Sequence, residues 1–404
     1  MYRTPVSSRL HIGIFGRRNV GKSSLINAIS SQDIAIVSCV AGTTTDPVRK
    51  SMEILPIGPC VLIDTAGIDD DGLLGSKRAD KSLTVLRKTD IGLIVVDPVL
   101  GLSKFERGLA ASFAERKLSF LFVINKCDKY SPEAVKKQLA GSKYNYVEVS
   151  SLSRSGIEEL KNEIIEIAPA NWAPVPLLGD IIKPNDVVVL VCPVDSAMPQ
   201  GRLILPQVQV LREILDSDAT AYVAKDTELK SLLESLKNPP NLVITDSQVF
   251  ETVAEIVPKN VPLTSFSIIF ARHKGDLPLL IDGVKAIDTL KKDDELLIAE
   301  CCTHHAQPED IGRSKIPTML INHKGFDLNF NVVAGGEFPS DLKPYKCVIM
   351  CGGCMVNRLE YLHRINSAVK QTVAITNYGV LMAYLAGILS RVLEPFKDGV
   401  VNIS

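Results

Sequence analysis

A short apolar run, Leu10-His11-Ile12-Gly13-Ile14-Phe15, leads directly into Gly16-Arg17-Arg18-Asn19-Val20-Gly21-Lys22-Ser23 and then into the helical pattern KSSLINAIS. Few folds accommodate a strand, a glycine-spaced loop and a helix in that order. The glycines let backbone N–H groups turn inward onto phosphate oxygens, and the helix N-terminus adds the positive end of its dipole. The pattern predicts a P-loop in which Gly16, Asn19 and Gly21 shape the turn. Lys22 is expected to reach the β and γ phosphates, Ser23 to ligate Mg2+, and Ser24 to lie beside it in the cradle.

The rhythm around this loop points the same way. LHIGIF, CVLID, IGLIVVD, SFLFVIN and YVEVS read as strands separated by helix-like segments such as GIEELKNEIIEI, which means a parallel sheet wrapped by helices. A chain of 404 residues has room for more than one domain. Prolines cluster in APANWAPVPLLGDIIKP, and beyond it VVVLVCPV, TAYVA and NLVIT begin a second, smaller alternation. A third set of strands is read from SFSIIFA, ELLIAE, FNVVA, CVIM and VAIT. The expected fold class is therefore α/β: a P-loop domain over 1–170, followed by two smaller α/β domains with largely parallel sheets over 171–262 and 263–404. The uncharged stretch from Gln371 to Ser390 reads as strand VAIT and a buried helix rather than a membrane span.

The next boxes concern the metal, the γ phosphate and the base. Asp64-Thr65-Ala66-Gly67 ends the strand CVLI, placing a carboxylate near Mg2+ and the Gly67 N–H near the γ phosphate. Upstream, Ala41-Gly42-Thr43-Thr44-Thr45-Asp46 offers hydroxyls able to close over the metal. Asn125-Lys126-Cys127-Asp128 follows SFLFVI, and a buried carboxylate at Asp128 can accept both N–H donors on the Watson-Crick side of guanine. Adenine presents an acceptor at one of those positions, so GTP is favoured over ATP. Ser150 and Ser151 complete the base site.

On these motifs the first 168 residues resemble the small translation-factor-type GTPases of the branch that includes the tRNA-modification GTPase TrmE and Era. The resemblance implies that Thr44 is the switch threonine and a second Mg2+ ligand beside Ser23, so the catalytic set is Lys22, Thr44, Asp64 and Gly67. After Gly67, where Ras-like enzymes carry a water-orienting glutamine, stands Ile68. An aliphatic side chain cannot orient water. Slow hydrolysis is expected, with TrmE-like use of a K+ ion bound partly by Asn19 in place of an arginine finger.

The last domain holds a different chemistry. Cys301-Cys302-Thr303-His304-His305 follows the strand ELLIAE, and Cys351-Gly352-Gly353-Cys354 follows CVIM. Both segments fall at strand carboxyl ends, where ligands of parallel sheets bind, so Cys302, Cys351 and Cys354 can meet at one metal or cluster. Zinc held by three cysteines and His304, a redox dithiol, and simple packing of cysteine are the competing readings; packing suits Cys39, Cys60, Cys192 and Cys347. The chain's nine cysteines are odd in number and scattered, which points to a reducing compartment and a cytoplasmic location.

Over its whole length the chain resembles the FeFe-hydrogenase maturation GTPases. The resemblance implies Cys302, Cys351 and Cys354 as ligands of a 4Fe-4S cluster; because Met350 stands where many members have histidine, the fourth site falls to His304 as a candidate ligand, to a carboxylate or water, or stays exchangeable. It also implies a dimerising middle domain and a homodimer or higher oligomer. The chain is then a scaffold that receives a diiron subcluster precursor, works with the radical-SAM maturases HydE and HydG, and delivers to the FeFe-hydrogenase apoprotein. The rival is a TrmE-like RNA-modification GTPase with a zinc or redox cysteine site. A net charge of −1 provides no electrostatic footprint for nucleic acid, which is not expected as a partner; nor is a membrane.

Overall fold

A computed structural model describes residues 5–30, 49–65, 85–169, 176–194, 203–301, 310–335 and 338–396. The chain divides into two compact units, Met1–Ala173 and Pro174–Ser404.

The first unit is built on a six-stranded sheet: β1 (Leu10–Phe15), β2 (Arg49–Ile54), β3 (Gly58–Asp64), β4 (Ile91–Val96), β5 (Ser119–Ile124) and β6 (Tyr146–Glu148), in the order β2-β3-β1-β4-β5-β6. Strands β1 and β4 are buried along their whole length, as strands covered by helices on both faces must be. That double burial is why they read as continuous apolar runs. Every pairing is parallel except β2 with β3. Strand β2 has no signature in the sequence because RKSMEI is a half-exposed edge strand without an apolar run.

The second unit carries two four-stranded sheets. One comprises β7 (Val187–Val191), β8 (Thr220–Ala224), β9 (Leu242–Thr245) and β10 (Leu263–Ser265), ordered β10-β9-β7-β8. The other comprises β11 (Glu295–Ala299), β12 (Asn329–Val333), β13 (Cys347–Met350) and β14 (Ala374–Asn377), ordered β12-β11-β13-β14. All pairings in both are parallel. One continuous apolar core runs from Leu177 to Phe396 beneath both sheets. Arg391 reinforces the join by donating to the carbonyls of Ala254 (2.7 Å), Val257 (2.8 Å) and Pro258 (2.9 Å).

One element differs from expectation. SFSIIFA is not a strand: only Ser265 belongs to β10, and Phe266–Lys274 is a helix. Ser265 Oγ accepts the Ile268 N–H at 3.3 Å, an N-cap that starts the helix directly at the strand end. The segment is buried at Phe266, Ile268, Ile269, Phe270 and Ala271, so it shows neither the alternation of a strand nor the stripe of an amphipathic helix. The expected VAIT strand and following helix are found as β14 and Tyr378–Leu385. Among the described residues no helix is long and apolar enough to cross a membrane.

Candidate functional sites: a nucleotide rim and a cysteine rim

The loop after β1 is shaped by backbone conformations that few residues adopt: Gly16 at φ 144°, Asn19 at 63° and Gly21 at 99°. A Cβ on Gly21 would lie 2.3 Å from Asn125 Nδ2, so the phosphate loop and the base-side loop are packed too closely for any side chain there. Asn125 joins the two loops, donating to the Val20 carbonyl at 2.9 Å while its own oxygen accepts from the Ser151 N–H (3.0 Å) and hydroxyl (2.9 Å). Lys126 extends the bridge to the Asn19 carbonyl (2.6 Å) and to Asp97 (2.7 Å). Burial resists ionisation of Asp97, but Lys126 and the Val99 and Leu100 N–H groups outweigh it and hold this carboxyl below its usual range.

Lys22 begins the helix Lys22–Ser30 and is buried, with Nζ donating to the carbonyls of Gly16 (2.5 Å) and Arg17 (2.8 Å). The Arg17 side chain is engaged away from the loop, on the buried carboxylate of Glu106 at 2.7 Å. Glu106 also closes the capping box of the helix Lys104–Glu115 with Ser103.

The Mg2+ expectation can be judged from Asp64. This carboxylate is buried; one oxygen accepts the Ser23 hydroxyl at 2.6 Å, and the other is buried with no hydrogen-bond partner among the described residues. A buried carboxylate oxygen without a donor is costly unless a cation meets it. Ser23 and Asp64 therefore fit a divalent ion.

Asp128 is exposed, not buried as the sequence reading had it. Its Oδ1 accepts the Ser150 hydroxyl at 2.6 Å, which orients the carboxylate. Ser24 is exposed on the first helical turn. Thr44, Gly67 and Ile68 lie outside the described residues.

The cysteine rim lies at the C-terminal edge of the last sheet, where β11 has β12 on one side and β13 on the other. That is the topological switch point of the sheet, the crevice where α/β folds bind ligands. Ala299 pairs with Met350, so the residues that follow each strand are brought side by side. The Cys351 N–H donates to the Ala299 carbonyl (3.1 Å), and the Cys301 N–H donates to Cys351 Sγ (3.1 Å). The Cys301 thiol and the N–H groups of Gly353 and Cys301 favour the Cys351 thiolate and pull its pKa down, whereas Cys301, buried against it, is pushed up. Cys354 is raised by burial.

Four residues that local spacing did not single out frame this rim. Tyr361 donates to the Cys351 carbonyl at 3.3 Å, and a Cβ on Gly353, at φ 65°, would lie 2.4 Å from its ring. Arg364, fully buried, bonds Glu360 at 3.2 Å and the Gly335 carbonyl at 2.6 Å, and reaches Cys301 Sγ at 3.7 Å. Lys274 Nζ donates to three carbonyls of the cysteine loop: Gly353 (2.9 Å), Val356 (2.9 Å) and Cys354 (3.4 Å). Burial lowers its pKa to about 8 against the opposing pull of the Cys354, Cys301 and Cys351 sulfurs. Tyr378 Oη is buried with no partner among the described residues and is influenced electrostatically by Cys351 and Glu300.

Cys302 and His304 lie outside the described residues, and among the described residues no three metal-ligating side chains group together. Cys351 and Cys354 nonetheless have the chemistry a cluster needs: soft donors, a glycine turn, an N–H aimed at one sulfur and, at the same edge, a buried hydroxyl without a partner among the described residues. Cys60, Cys192 and Cys347 are buried, and burial pushes their pKa values up to about 12, as expected for cysteines that pack. Cys39 lies outside the described residues.

Known proteins match both units of the chain. Residues 11–126 match the family model of the 50S ribosome-binding GTPases. Among curated proteins, the chain is 34% identical over 164 residues to the tRNA modification GTPase MnmE of Dechloromonas aromatica, covering 40% of this chain and 36% of that protein. It is 37% identical over 172 residues to the GTPase Der of Wolinella succinogenes, again covering 40% of this chain and 36% of that protein. The chain thus spans little more than a third of these relatives. A solved structure of Era from Aquifex aeolicus aligns with 53% of the chain and 91% of its own length, at 21% identity and a TM-score of 0.34. Beyond the GTPase unit, residues 177–275 match the hydrogen maturase F dimerization domain and residues 278–395 its tetramerization domain. Those two matches span more than half of the sequence and follow a match to a GTPase-family domain, so the chain belongs to the hydrogen maturase F family.

Proposed function

We propose that this chain is an iron-sulfur scaffold and carrier whose GTPase unit times the handover of cargo. In this reading residues 1–170 bind GTP, 171–262 dimerise the chain, and 263–404 hold a 4Fe-4S cluster on Cys302, Cys351 and Cys354, with His304 a candidate fourth ligand. The cargo is a diiron subcluster precursor, received with HydE and HydG and delivered to the FeFe-hydrogenase apoprotein in the cytoplasm. The observation that carries the reading is the register of β11 and β13, which sets Cys351 against the backbone of Cys301, one residue from Cys302, at the switch-point crevice. A cluster would supply ligand-exchangeable iron at that edge. The chain's own part is to hold the sulfurs, direct an N–H at one of them and keep the loop folded.

On the nucleotide side, Lys22 neutralises phosphate charge, Ser23 and Asp64 hold Mg2+ together with Thr44, and the Gly67 N–H meets the γ phosphate. Asn125, Lys126, Asp128, Ser150 and Ser151 select guanine. Hydrolysis is slow because Ile68 cannot orient water, and K+ bound partly by Asn19 accelerates it; rates equal in Na+ and K+ buffers would remove that element.

The cluster reading is tested by anaerobic reconstitution of the full chain with iron and sulfide. About four iron atoms per chain, a broad visible band and an electron paramagnetic resonance signal are expected, all lost in Cys302→Ala. A signal altered by imidazole identifies a replaceable ligand on the fourth iron. A colourless zinc protein that binds tRNA would favour the RNA-modification alternative instead.

A further inference from the structure

Resting on the cluster reading above, we propose that Lys274 is the positioning residue of the cysteine rim: its buried ammonium ties the loop that carries Cys354 into shape and supplies the positive charge that balances the thiolate-held cluster. Lysine has three N–H donors and no acceptor. All three are spent on one loop, at the carbonyls of Gly353, Cys354 and Val356, while the side chain is only 2% exposed. No other side chain among the described residues gathers three carbonyls of that loop.

Charge balance gives the arrangement its meaning. A buried ammonium is costly unless a negative charge lies near it. None of the ion pairs found among the described residues includes Lys274; its Nζ lies instead against the backbone of the turn that carries Cys354. A cluster held by the thiolates of this loop would supply that negative charge. The cation would favour the reduced cluster, which holds one electron more.

The helix that delivers Lys274 adds a mechanical consequence. It starts at Ser265, the last residue of β10, and ends under the cysteine loop, where a basic residue also suits the negative end of the helix dipole. The loop is thus anchored to the sheet of the dimerization domain by a single helix of nine residues.

Two variants separate charge from shape. Lys274→Met removes the charge and the ammonium donor that the three carbonyls share. Lys274→Arg keeps the charge but cannot present a three-pronged ammonium. In the reconstituted full chain, Lys274→Met is expected to bind its extra electron about tenfold less tightly, a midpoint lower by about 59 mV for a one-electron couple, whereas Lys274→Arg stays at the wild-type potential. In the cluster-free chain both variants should let iodoacetamide alkylate Cys354 about tenfold faster, with GTPase activity unchanged. Wild-type potential and wild-type alkylation in Lys274→Met would overturn the proposal. Should that variant fail to fold, Lys274→Arg decides: faster alkylation at an unchanged potential supports it, and an unchanged alkylation rate overturns it. A wild-type chain that takes up no cluster would defeat the scaffold reading instead, and the alkylation arm would still report on Lys274.

Discussion

The two candidate sites both lie at the carboxyl ends of parallel strands. They are assembled in opposite ways. At the nucleotide rim, each working group sits in a contiguous box, and the boxes brace one another through short side-chain bonds such as Asn125 to Val20 and Lys126 to Asn19. At the cysteine rim, the sulfurs come from segments about fifty residues apart and meet through strand register, and the groups that hold them in place come from still other elements: Lys274, Tyr361 and Arg364. A site made of local boxes can be read along the chain. A site made of register has to be folded before its supporting residues can be recognised.

The comparison breaks most sharply if one rim can be emptied without the other noticing. Lys22→Ala should lower GTP turnover by about a thousandfold, as loss of a group facing transferred phosphate charge does, while the iron content after reconstitution stays at the wild-type level. Loss of both together would mean that the rims are not independent. Asp128→Asn probes the base-side loop alone. Replacing an acceptor-only carboxylate should weaken GTP binding by about ten- to a hundredfold, the worth of a hydrogen bond to a charged group, and calorimetric titration with GTP and ATP would show the preference for guanine shrinking.

Smaller effects sharpen the contrast. Gly353→Ala puts a Cβ against the Tyr361 ring at a left-handed backbone position, which costs about 1–2 kcal/mol; chemical denaturation should show the second unit weakened and the first unchanged. The slightest effect concerns Asp97. Its carboxyl is held below its ordinary value, so its pairing with Lys126 stabilises the fold above about pH 3.9 and stops doing so as pH falls through the lowered folded value. Asp97→Asn should therefore flatten the acid limb of the first unit's stability by less than about 1 kcal/mol, leaving stability near neutral pH reduced by the same small amount.

Much of the architecture was legible because the parallel strands are buried on both faces and read as apolar runs: LHIGIF, IGLIVV, ELLIA and CVIM are all strands. The same logic misled at SFSIIFA, since a helix buried on most of its circumference is also a continuous apolar run, and seven residues are too few to tell the periods apart. Strand β2 is illegible for the converse reason, being polar and at an edge. Asp128 was expected to be buried because a specific carboxylate invites that reading, yet it stands exposed and is oriented by Ser150.

The residue order alone determined the phosphate loop, the guanine box and the two cysteine segments, because glycine spacing, strand ends and helix starts are properties of neighbouring residues. Only the tertiary structure decided that Asp64 turns a second oxygen, without a partner among the described residues, into a buried site, that Cys301 places its N–H on Cys351, and that a lysine seventy-seven residues before Cys351 closes the cysteine loop. Those are consequences of burial and of register across strands, and neither exists until distant segments have packed together.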